Sequence, residues 1–312
     1  MNRDSKSIFP TIVWCVIYVL LMLSFLTPLN GITSSFLMVP PLVLYMLLDS
    51  KRFTFVYVIL LLLLYILTGK VGLFLILLSL FFLVPVIVMG RLYKKKWSAR
   101  GVIMAGTLTL LGEMLLILLV ASLLGANPIG AYKELLDDTI ASMGELITGV
   151  LPKDKLDLLV SMMVQMIPMF MITVSAYFAL VTHALTRWRL KSSGLYLPGL
   201  PPLREWRVPR SVVLYYAITI VLDFFMDIRS DSALVTIVLN LYPLLTIAFV
   251  IQSLSFLSFV SYQKGWGKRL PIAAVAVMVV LYPVIPGFVT LFSLLGLLDA
   301  VFPLRSRFTN KS

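Results

Sequence analysis

Residues 108–120 read LTLLGEMLLILLV, a run in which Glu113 is the one charged residue. The run lies inside a longer apolar stretch, 101–124, and a transmembrane helix needs about 20 mostly apolar residues. The whole chain has this character, because 60% of its 312 residues are hydrophobic and 13% are charged. A water-soluble protein cannot bury that many apolar side chains. The composition therefore predicts an all-α protein, a polytopic transmembrane helical bundle.

Apolar stretches elsewhere in the chain predict about eight spans and one further apolar block. The predicted spans are 8–27, 32–48, 53–67, 71–89, 101–124, 158–185, 211–228 and 233–261. The block 271–302 has YPVIPG at its centre, and two prolines with a glycine break or kink a helix. We expect this block to form either one bent span or a hairpin of two short helices. No polar segment is large enough for a soluble domain, so residues 1–312 are predicted to form a single integral membrane domain.

Lysine and arginine residues are distributed unevenly between the predicted loops. With the N-terminus in the cytoplasm, the inner loops before the C-terminal tail hold 18 of the 26 Lys and Arg residues, and the outer loops hold 5. This excess follows the positive-inside rule. The tail adds Arg305, Arg307 and Lys311, which also prefer the cytoplasm. The pattern predicts that both termini are cytoplasmic and favours a hairpin for 271–302.

The outer segment 127–157 has the pattern of an amphipathic helix. Its apolar residues recur at alternating spacings of four and three, which is typical of one helix face. These residues are Leu136, Ile140, Met143, Ile147 and Val150. The segment is expected to rest on the outer membrane surface or, alternatively, to act as a lid over a substrate entrance.

The inner loop 186–210 combines six cations with two tryptophans and four prolines. Tryptophan suits the head-group region of a bilayer, and clustered cations suit anionic lipid. We expect this loop to contact lipid head groups or to dock a cytosolic partner. The residues assigned to these contacts are Arg187, Trp188, Arg189, Trp206 and Arg207. Nucleic acid is not an expected partner, because no recognition fold accompanies the charge.

Glu113 lies twelve residues beyond Gly101, or about 18 Å at 1.5 Å per residue, close to the predicted bilayer midplane. An ionised side chain at that depth costs several kcal/mol, so Glu113 is predicted to face the bundle interior or a cavity. Gly101, Ala105 and Thr109 precede it at intervals of four. Small residues such as Gly101 and Ala105 let another helix approach closely. Glu113 is either a protonated structural residue or part of a substrate or proton site.

Asp223 is a second acidic residue at mid-depth, twelve residues into the span 211–228. None of the predicted spans carries Lys or Arg in its middle. Two such carboxyl groups must be neutral, hydrated or paired with a group from outside the chain. We therefore predict an acidic cavity lined by Glu113 and Asp223, with Thr109 and Asn240 as further solute contacts. A proton, a metal cation or the cationic group of a small solute would satisfy it.

Other polar residues in the spans have simpler expected roles. Gln165, Asn240 and Gln252 are expected to form hydrogen bonds between helices, which for Asn240 is the alternative to a solute contact. Asp299 is expected to pair with Arg305 or Arg307. His183 is expected to pack near the inner end of its span, and Asp227 is expected to pair with Arg229.

Catalysis finds little support in the sequence. The chain has no HExxH, GxSxG or Walker phosphate-loop motif, so it is not predicted to be an enzyme. With one cysteine, Cys15, and one histidine, His183, it can form neither a Cys-based nor a multi-histidine metal site. No cofactor is predicted.

Three motifs resemble the YybS-like family of bacterial membrane proteins, a domain of unknown function. They are WRVPRSVVLYYA (206–217), LDFFMD (222–227) and GLLDAVFPLRSRF (296–308), and the likeness extends over nearly the whole chain. The general layout of that family is similar to that of the substrate-binding membrane subunits of energy-coupling-factor vitamin transporters. The resemblance implies a multi-pass protein of the bacterial cytoplasmic membrane.

Two functions from different classes follow as expectations. The first is a transport-related or solute-binding membrane subunit, in which a coupling subunit or ATPase in trans supplies the energy because this chain has no phosphate loop. The second is a non-transporting membrane scaffold or regulator of envelope processes that docks its partners through the loop 186–210.

Overall fold

The computed structural model describes residues 5–142, 152–227, 232–285, 287–302 and 304–309. In chain order its helices are α1 (Ser5–Ser24), α2 (Val39–Leu47), α3 (Ser50–Thr68), α4 (Gly72–Lys94), α5 (Ala99–Leu123), α6 (Pro128–Ser142), α7 (Lys153–Gln165), α8 (Ile167–Lys191), α9 (Arg210–Phe225), α10 (Ala233–Gln263), α11 (Arg269–Leu281), α12 (Phe288–Val301) and α13 (Ser306–Thr309). No strand occurs in these ranges, which confirms the predicted all-α fold.

Five stretches of the described chain are long and apolar enough to cross a membrane. They are Asn30–Leu47, Ser50–Lys94, Ala99–Leu123, Ile167–Lys191 and Ala233–Gln263. Three shorter helical stretches are also apolar, namely Phe9–Ser24, Arg269–Leu281 and Phe288–Val301. Their outer faces carry many exposed leucine, isoleucine, valine and phenylalanine side chains, as expected of helices that face lipid. These features are those of a polytopic helical membrane bundle.

The chain divides into two compact units. The first comprises Met1–Pro128 and Met171–Leu200, and the second comprises Ile129–Phe170 and Pro201–Ser312.

The short helix α2 lies at the centre of the first unit. Every residue from 37 to 45 is buried, because α2 packs against α1, α3 and α4 and is apolar all round. The predicted span 32–48 is therefore not one continuous helix: two short helical turns, Asn30–Thr33 and Ser34–Phe36, precede α2. Pro40 and Pro41 lie in the first turn of α2, where a missing N–H leaves no helix hydrogen bond unmade.

Two polar clusters are buried within the first unit. The hydroxyl group of Tyr18 is hydrogen-bonded to that of Tyr57, 3.0 Å away, and both contact Ser79. In the second cluster, the hydroxyl group of Tyr93 is hydrogen-bonded to Nδ1 of His183. His183 is buried, in agreement with its predicted packing role. Each cluster satisfies polar groups that would otherwise destabilise an apolar core.

The long helix α10 organises the second unit. The helices α7, α9, α11 and α12 all contact it, and α12 packs most closely of these. The close contact is at Gly296, because a Cβ atom there would overlap the backbone carbonyl group of Phe249. The side chain of Phe249 also stacks on the ring of Tyr216 from α9, with ring centroids 4.7 Å apart.

One predicted span and the apolar block 271–302 are each interrupted in the second unit. The stretch 158–185 is not a single helix: α7 ends at Gln165 and α8 begins at Ile167. Pro168 lacks the N–H that would continue the helical hydrogen bonds across this point. The block 271–302 forms two short helices, α11 and α12, separated by a turn that includes Pro283, as the second of the two predicted alternatives requires.

The outer segment 127–157 is described only in part. Within α6, Leu136 and Ile140 are partly buried whereas Glu134 and Asp138 are exposed, as the amphipathic pattern predicts. Met143, Ile147 and Val150, the rest of the predicted apolar face, lie outside the described residues. Whether the segment acts as a lid stays a prediction.

Candidate functional site

Three acidic residues lie inside apolar helices, and their carboxyl groups have very different surroundings. Glu113 is in α5, Asp223 in α9 and Asp299 in α12. An acidic group in such a helix is costly unless it is paired or neutral, so its partners indicate whether its role is structural.

Glu113 lies where the packed half of α5 ends. The buried residues of this helix all precede Glu113: they are Ala99, Val102, Ile103, Gly106 and Leu110. Beyond Glu113, large apolar side chains such as those of Leu116 and Leu123 are exposed. The Glu113 side chain is half-buried, and its Oε2 atom is buried without a hydrogen-bond partner in the part of the chain that the structure describes. No described Lys or Arg forms an ion pair with it.

The predicted small-residue stripe on α5 is half-buried. The Thr109 hydroxyl group donates to the carbonyl oxygen of Ala105 at 2.7 Å, so its proton is used within its own helix. Gly101 faces Trp97, since a Cβ atom on Gly101 would lie 3.1 Å from Cε3 of that ring. A helix-docking role for Gly101 and Ala105 stays a prediction.

The close helix contact of α5 within the first unit is made at Gly106, which the sequence reasoning missed. A Cβ atom on Gly106 would lie 2.7 Å from the sulfur of Met89 in α4. The available signal was the spacing of three and four that joins Gly106 to Ala99, Ile103 and Leu110.

Asp223 is half-buried in α9. It forms no hydrogen bond or ion pair with any other residue in the described ranges. Phe224, which follows it, is 81% exposed, as is typical of a lipid-facing side chain. The predicted pairing of Asp227 with Arg229 cannot be followed, because Arg229 lies outside the described residues.

The predicted cavity needs Glu113 and Asp223 together. Glu113 belongs to the first unit and Asp223 to the second, and each is described within its own unit. A joint cavity therefore stays a prediction, as does a proton or solute bound there.

Asp299 has the opposite environment, because its carboxylate is fully paired. Its side chain is 1% exposed, and that of Arg305 is 8% exposed. Arg305 donates from Nη2 to Oδ2 of Asp299 at 2.7 Å and from Nε to both carboxylate oxygens at 3.2 and 3.1 Å. Gln252 of α10 donates to the same Oδ2 at 2.6 Å. The predicted pair of Asp299 with Arg305 is confirmed, and so is the predicted interhelical hydrogen bond of Gln252.

The remaining donors of Arg305 fix the loop between α8 and α9. Nη1 donates to the carbonyl oxygen of Arg204 at 2.6 Å, and Nη2 donates to that of Trp206 at 3.3 Å. The Ser255 hydroxyl group donates to the same Trp206 oxygen at 2.7 Å, while Oε1 of Gln252 accepts from the N–H of Val208 at 2.9 Å. We call these residues, with Asp299, the Asp299 network. A buried ion pair stabilises only when its other hydrogen-bonding groups are satisfied, and here they are.

The Asp299 network joins two of the motifs on which the family resemblance rests. Trp206 and Val208 belong to WRVPRSVVLYYA, whereas Asp299 and Arg305 belong to GLLDAVFPLRSRF. Arg305 and Trp206 are 99 residues apart in the chain, yet the side chain of Arg305 binds the backbone carbonyl group of Trp206. The motifs therefore have a structural meaning in the second unit.

Asn240 repairs the break between α7 and α8. In a continuous helix the N–H of Met169 would donate to the carbonyl oxygen of Gln165. Instead, Oδ1 of Asn240 accepts from that N–H at 2.8 Å, and Nδ2 donates to that carbonyl oxygen at 2.8 Å. Nδ2 also donates to the carbonyl oxygen of Thr236 at 2.7 Å. The predicted interhelical hydrogen bond is confirmed, and with both amide N–H groups used, a solute contact would be limited to Oδ1.

The residues assigned to partner docking differ in their hydrogen bonds and in their exposure. Arg187 donates from Nε to the carbonyl oxygen of Leu197 at 3.3 Å, and Arg189 donates to the Ser192 hydroxyl group. Trp206 donates from its ring N–H to the carbonyl oxygen of Pro201 at 2.9 Å. Trp188, in contrast, is 73% exposed, and Arg207 is exposed as well. These last two are the residues best placed to contact lipid or a partner.

The chain is similar to the "Uncharacterized protein YybS" of Bacillus subtilis (strain 168), with 27% identity over 228 residues that cover 71% of this chain and 72% of that relative. No solved structure matches the chain. Residues 15–300 match the family described as "Predicted membrane protein (DUF2232)". The resemblance to a YybS-like family is thereby confirmed, and the chain belongs to the DUF2232 family of membrane proteins.

Proposed function

We propose that this protein is a solute-binding subunit of a membrane transport system, and that Glu113 contacts the solute. One observation carries the proposal: Oε2 of Glu113 is buried and has no partner among the described residues. In the second unit, by contrast, the carboxylate of Asp299 accepts hydrogen bonds from three N–H groups, two of Arg305 and one of Gln252. An acidic residue left without such groups is suited to a partner that comes from outside the chain.

The chemistry of Glu113 defines the class of solute. A carboxylate oxygen accepts hydrogen bonds and attracts cations, so the expected solute carries an ammonium group or several N–H donors. A protonated Glu113 would instead donate to a carbonyl group of the solute. Asp223, in the second unit, is a separate acidic candidate, because it forms no ion pair with a described residue. Thr109 contributes at most an acceptor oxygen, since its hydroxyl proton is bound to Ala105.

Another protein chain would supply the energy for transport. This sequence has no phosphate loop. In the predicted inner loop 186–210, residues up to Lys191 belong to α8, so Trp188 is an exposed residue of that helix and Arg207 an exposed residue of the loop after it; each is proposed as a contact for a coupling subunit or ATPase. The likeness to energy-coupling-factor subunits supports this assignment by analogy only.

The test is to identify small molecules that copurify with the full-length protein from native membranes. Wild type, Glu113→Gln and Glu134→Gln should be purified in parallel, denatured, and their released small molecules compared by mass spectrometry. Glu134 is an exposed acid in α6 and provides the matched control. We expect one species to be released by wild type and by the Glu134 variant but not by the Glu113 variant. Equal release from all three would refute a solute site at Glu113.

A scaffold role is the second candidate, and a different observation favours it. Trp188 is 73% exposed near the end of α8, between Arg187 and Arg189 in the sequence, and exposed aromatic residues of this kind are common at partner-docking surfaces. Crosslinking in native membranes separates the two functions. A scaffold should lose its captured protein in Trp188→Ala and keep it in Glu113→Gln, with no solute released from either.

A further inference from the structure

A large apolar groove lies in the second unit. It has a volume of about 960 Å³ and runs between the loop after Pro201, helix α10 and helix α11. Its wall is formed by Leu254, Ile272, Val275 and Ala276, and its rim carries Arg204 and Lys268. Binding sites for drug-sized ligands typically have volumes of about 300–1,000 Å³, so the groove is large enough for a bulky ligand.

The rim of the groove is cationic and held in place. The guanidinium group of Arg204 lies 3.8 Å from the ring centroid of Tyr262, which also lines the groove. The backbone carbonyl group of Arg204 accepts the hydrogen bond from Nη1 of Arg305, so the Asp299 network positions this part of the rim. Lys268 immediately precedes α11. None of the described residues that line the groove is acidic.

The combination of wall and rim identifies one class of occupant. We propose that the groove binds an anionic phospholipid, with its phosphate group between Arg204 and Lys268 and an acyl chain along the wall. Charge complementarity assigns the head group, because basic pockets between transmembrane helices recognise anionic head groups. The apolar wall accounts for the acyl chain, because Ile272, Val275 and Ala276 are exposed on an apolar helix of a membrane protein.

The nearby negative charge of Glu205 should weaken the binding of an anionic head group, so its removal provides a further test. Nε of Arg204 lies 4.0 Å from Oε1 of Glu205, and both side chains are substantially exposed. An exposed pair at that distance is weak, so it leaves Arg204 available to a phosphate group. Removing the Glu205 charge should strengthen lipid binding.

The experiment is native mass spectrometry of the full-length protein in detergent, titrated with phosphatidylglycerol and with phosphatidylcholine of the same acyl chains. Wild type should prefer phosphatidylglycerol. Arg204→Gln with Lys268→Gln should reduce that preference about five-fold per cation removed. Glu205→Gln should increase it. The control, Lys95→Gln with Arg100→Gln, removes two exposed cations outside this groove and should leave the preference unchanged.

A second variant tests the wall. Ala276→Phe keeps both cations and fills the apolar wall, so it should weaken binding of both lipids several-fold. Glycerol 3-phosphate, which has the phosphate group and no acyl chain, should not displace phosphatidylglycerol. The proposal fails if the double Arg204/Lys268 variant keeps the wild-type preference, if the control loses it equally, if Ala276→Phe binds both lipids as wild type does, or if glycerol 3-phosphate competes.

Discussion

Asp299 and Glu113 are the same kind of group in the same kind of helix, and their surroundings differ completely. Asp299 accepts hydrogen bonds from Arg305 and Gln252 and is almost inaccessible. Glu113 has one buried oxygen with no described partner. An acidic residue in an apolar helix therefore says little about function until its partners are known. The comparison separates an acid that is held by other parts of the fold from one whose buried oxygen has no described partner.

Removing the cation that pairs with Asp299 should reduce stability more than any of the other substitutions below. Arg305→Gln leaves the buried Asp299 carboxylate without its cation and removes the hydrogen bonds to Arg204 and Trp206. We expect a loss of about 3–5 kcal/mol in unfolding free energy, as for other buried ion pairs that lose one partner. Thermal unfolding in detergent measures it.

Two further variants control for this effect. Arg307→Gln changes an exposed cation two residues away and should stay within about 0.5 kcal/mol of wild type. Asp299→Asn combined with Arg305→Gln removes both charges and should recover part of the loss. If Arg305→Gln unfolds at the wild-type temperature, the Asp299 network does not hold the second unit together.

Separating α12 from α10 should weaken the same region by a smaller amount. In Gly296→Ala the new methyl group meets the carbonyl group of Phe249, and the helices must move apart. Overpacking of this kind costs about 1–3 kcal/mol, measured by the same unfolding experiment. Gly287→Ala is the control, because no other residue lies near a Cβ atom there. Equal stability of both variants would show that α12 can shift freely on α10.

The Asn240 side chain offers a smaller and more selective test. Asn240→Ala removes the hydrogen bonds that Asn240 makes to the N–H of Met169 and to the carbonyl oxygen of Gln165 at the break between α7 and α8. Hydrogen bonds between membrane helices are worth about 1 kcal/mol, so we expect a loss of that size in unfolding free energy. Gln263→Ala, an exposed change at the end of α10, should be neutral. A solute lost without any loss of stability would instead make Asn240 a binding residue.

The sequence predicted the features that depend on local pattern. Apolar stretches located α3, α4, α5 and α10, and the prolines near 283 explained the two helices of 271–302. Features that depend on distant parts of the chain were only partly accessible. The pairing of Asp299 with Arg305 was predicted, since six residues separate them, but the hold of Arg305 on the loop a hundred residues earlier was not.

The break after Gln165 was missed for a related reason. Pro168 was visible in the sequence, but the 158–185 stretch is apolar enough to read as one span. What makes the break stable is the amide group of Asn240, more than seventy residues away. Similarly, Gly101 and Gly106 each lie on a face of α5 with small residues at helical spacing. The contact with Met89 of α4 is what makes Gly106 the close packing position within the first unit.

Glu113→Gln is expected to change stability least, and it tests the difference between Glu113 and Asp299 most directly. Glu113→Gln keeps the shape of the side chain and removes its charge, and no described residue loses a hydrogen-bond partner. The unfolding free energy should therefore stay within about 0.5 kcal/mol of wild type. The same type of change at Asp299, Asp299→Asn, should be clearly destabilising, because it leaves Arg305 buried without its counter-charge. A loss above about 1 kcal/mol in Glu113→Gln would mean that Glu113 has a structural partner, and the contrast with Asp299 would disappear.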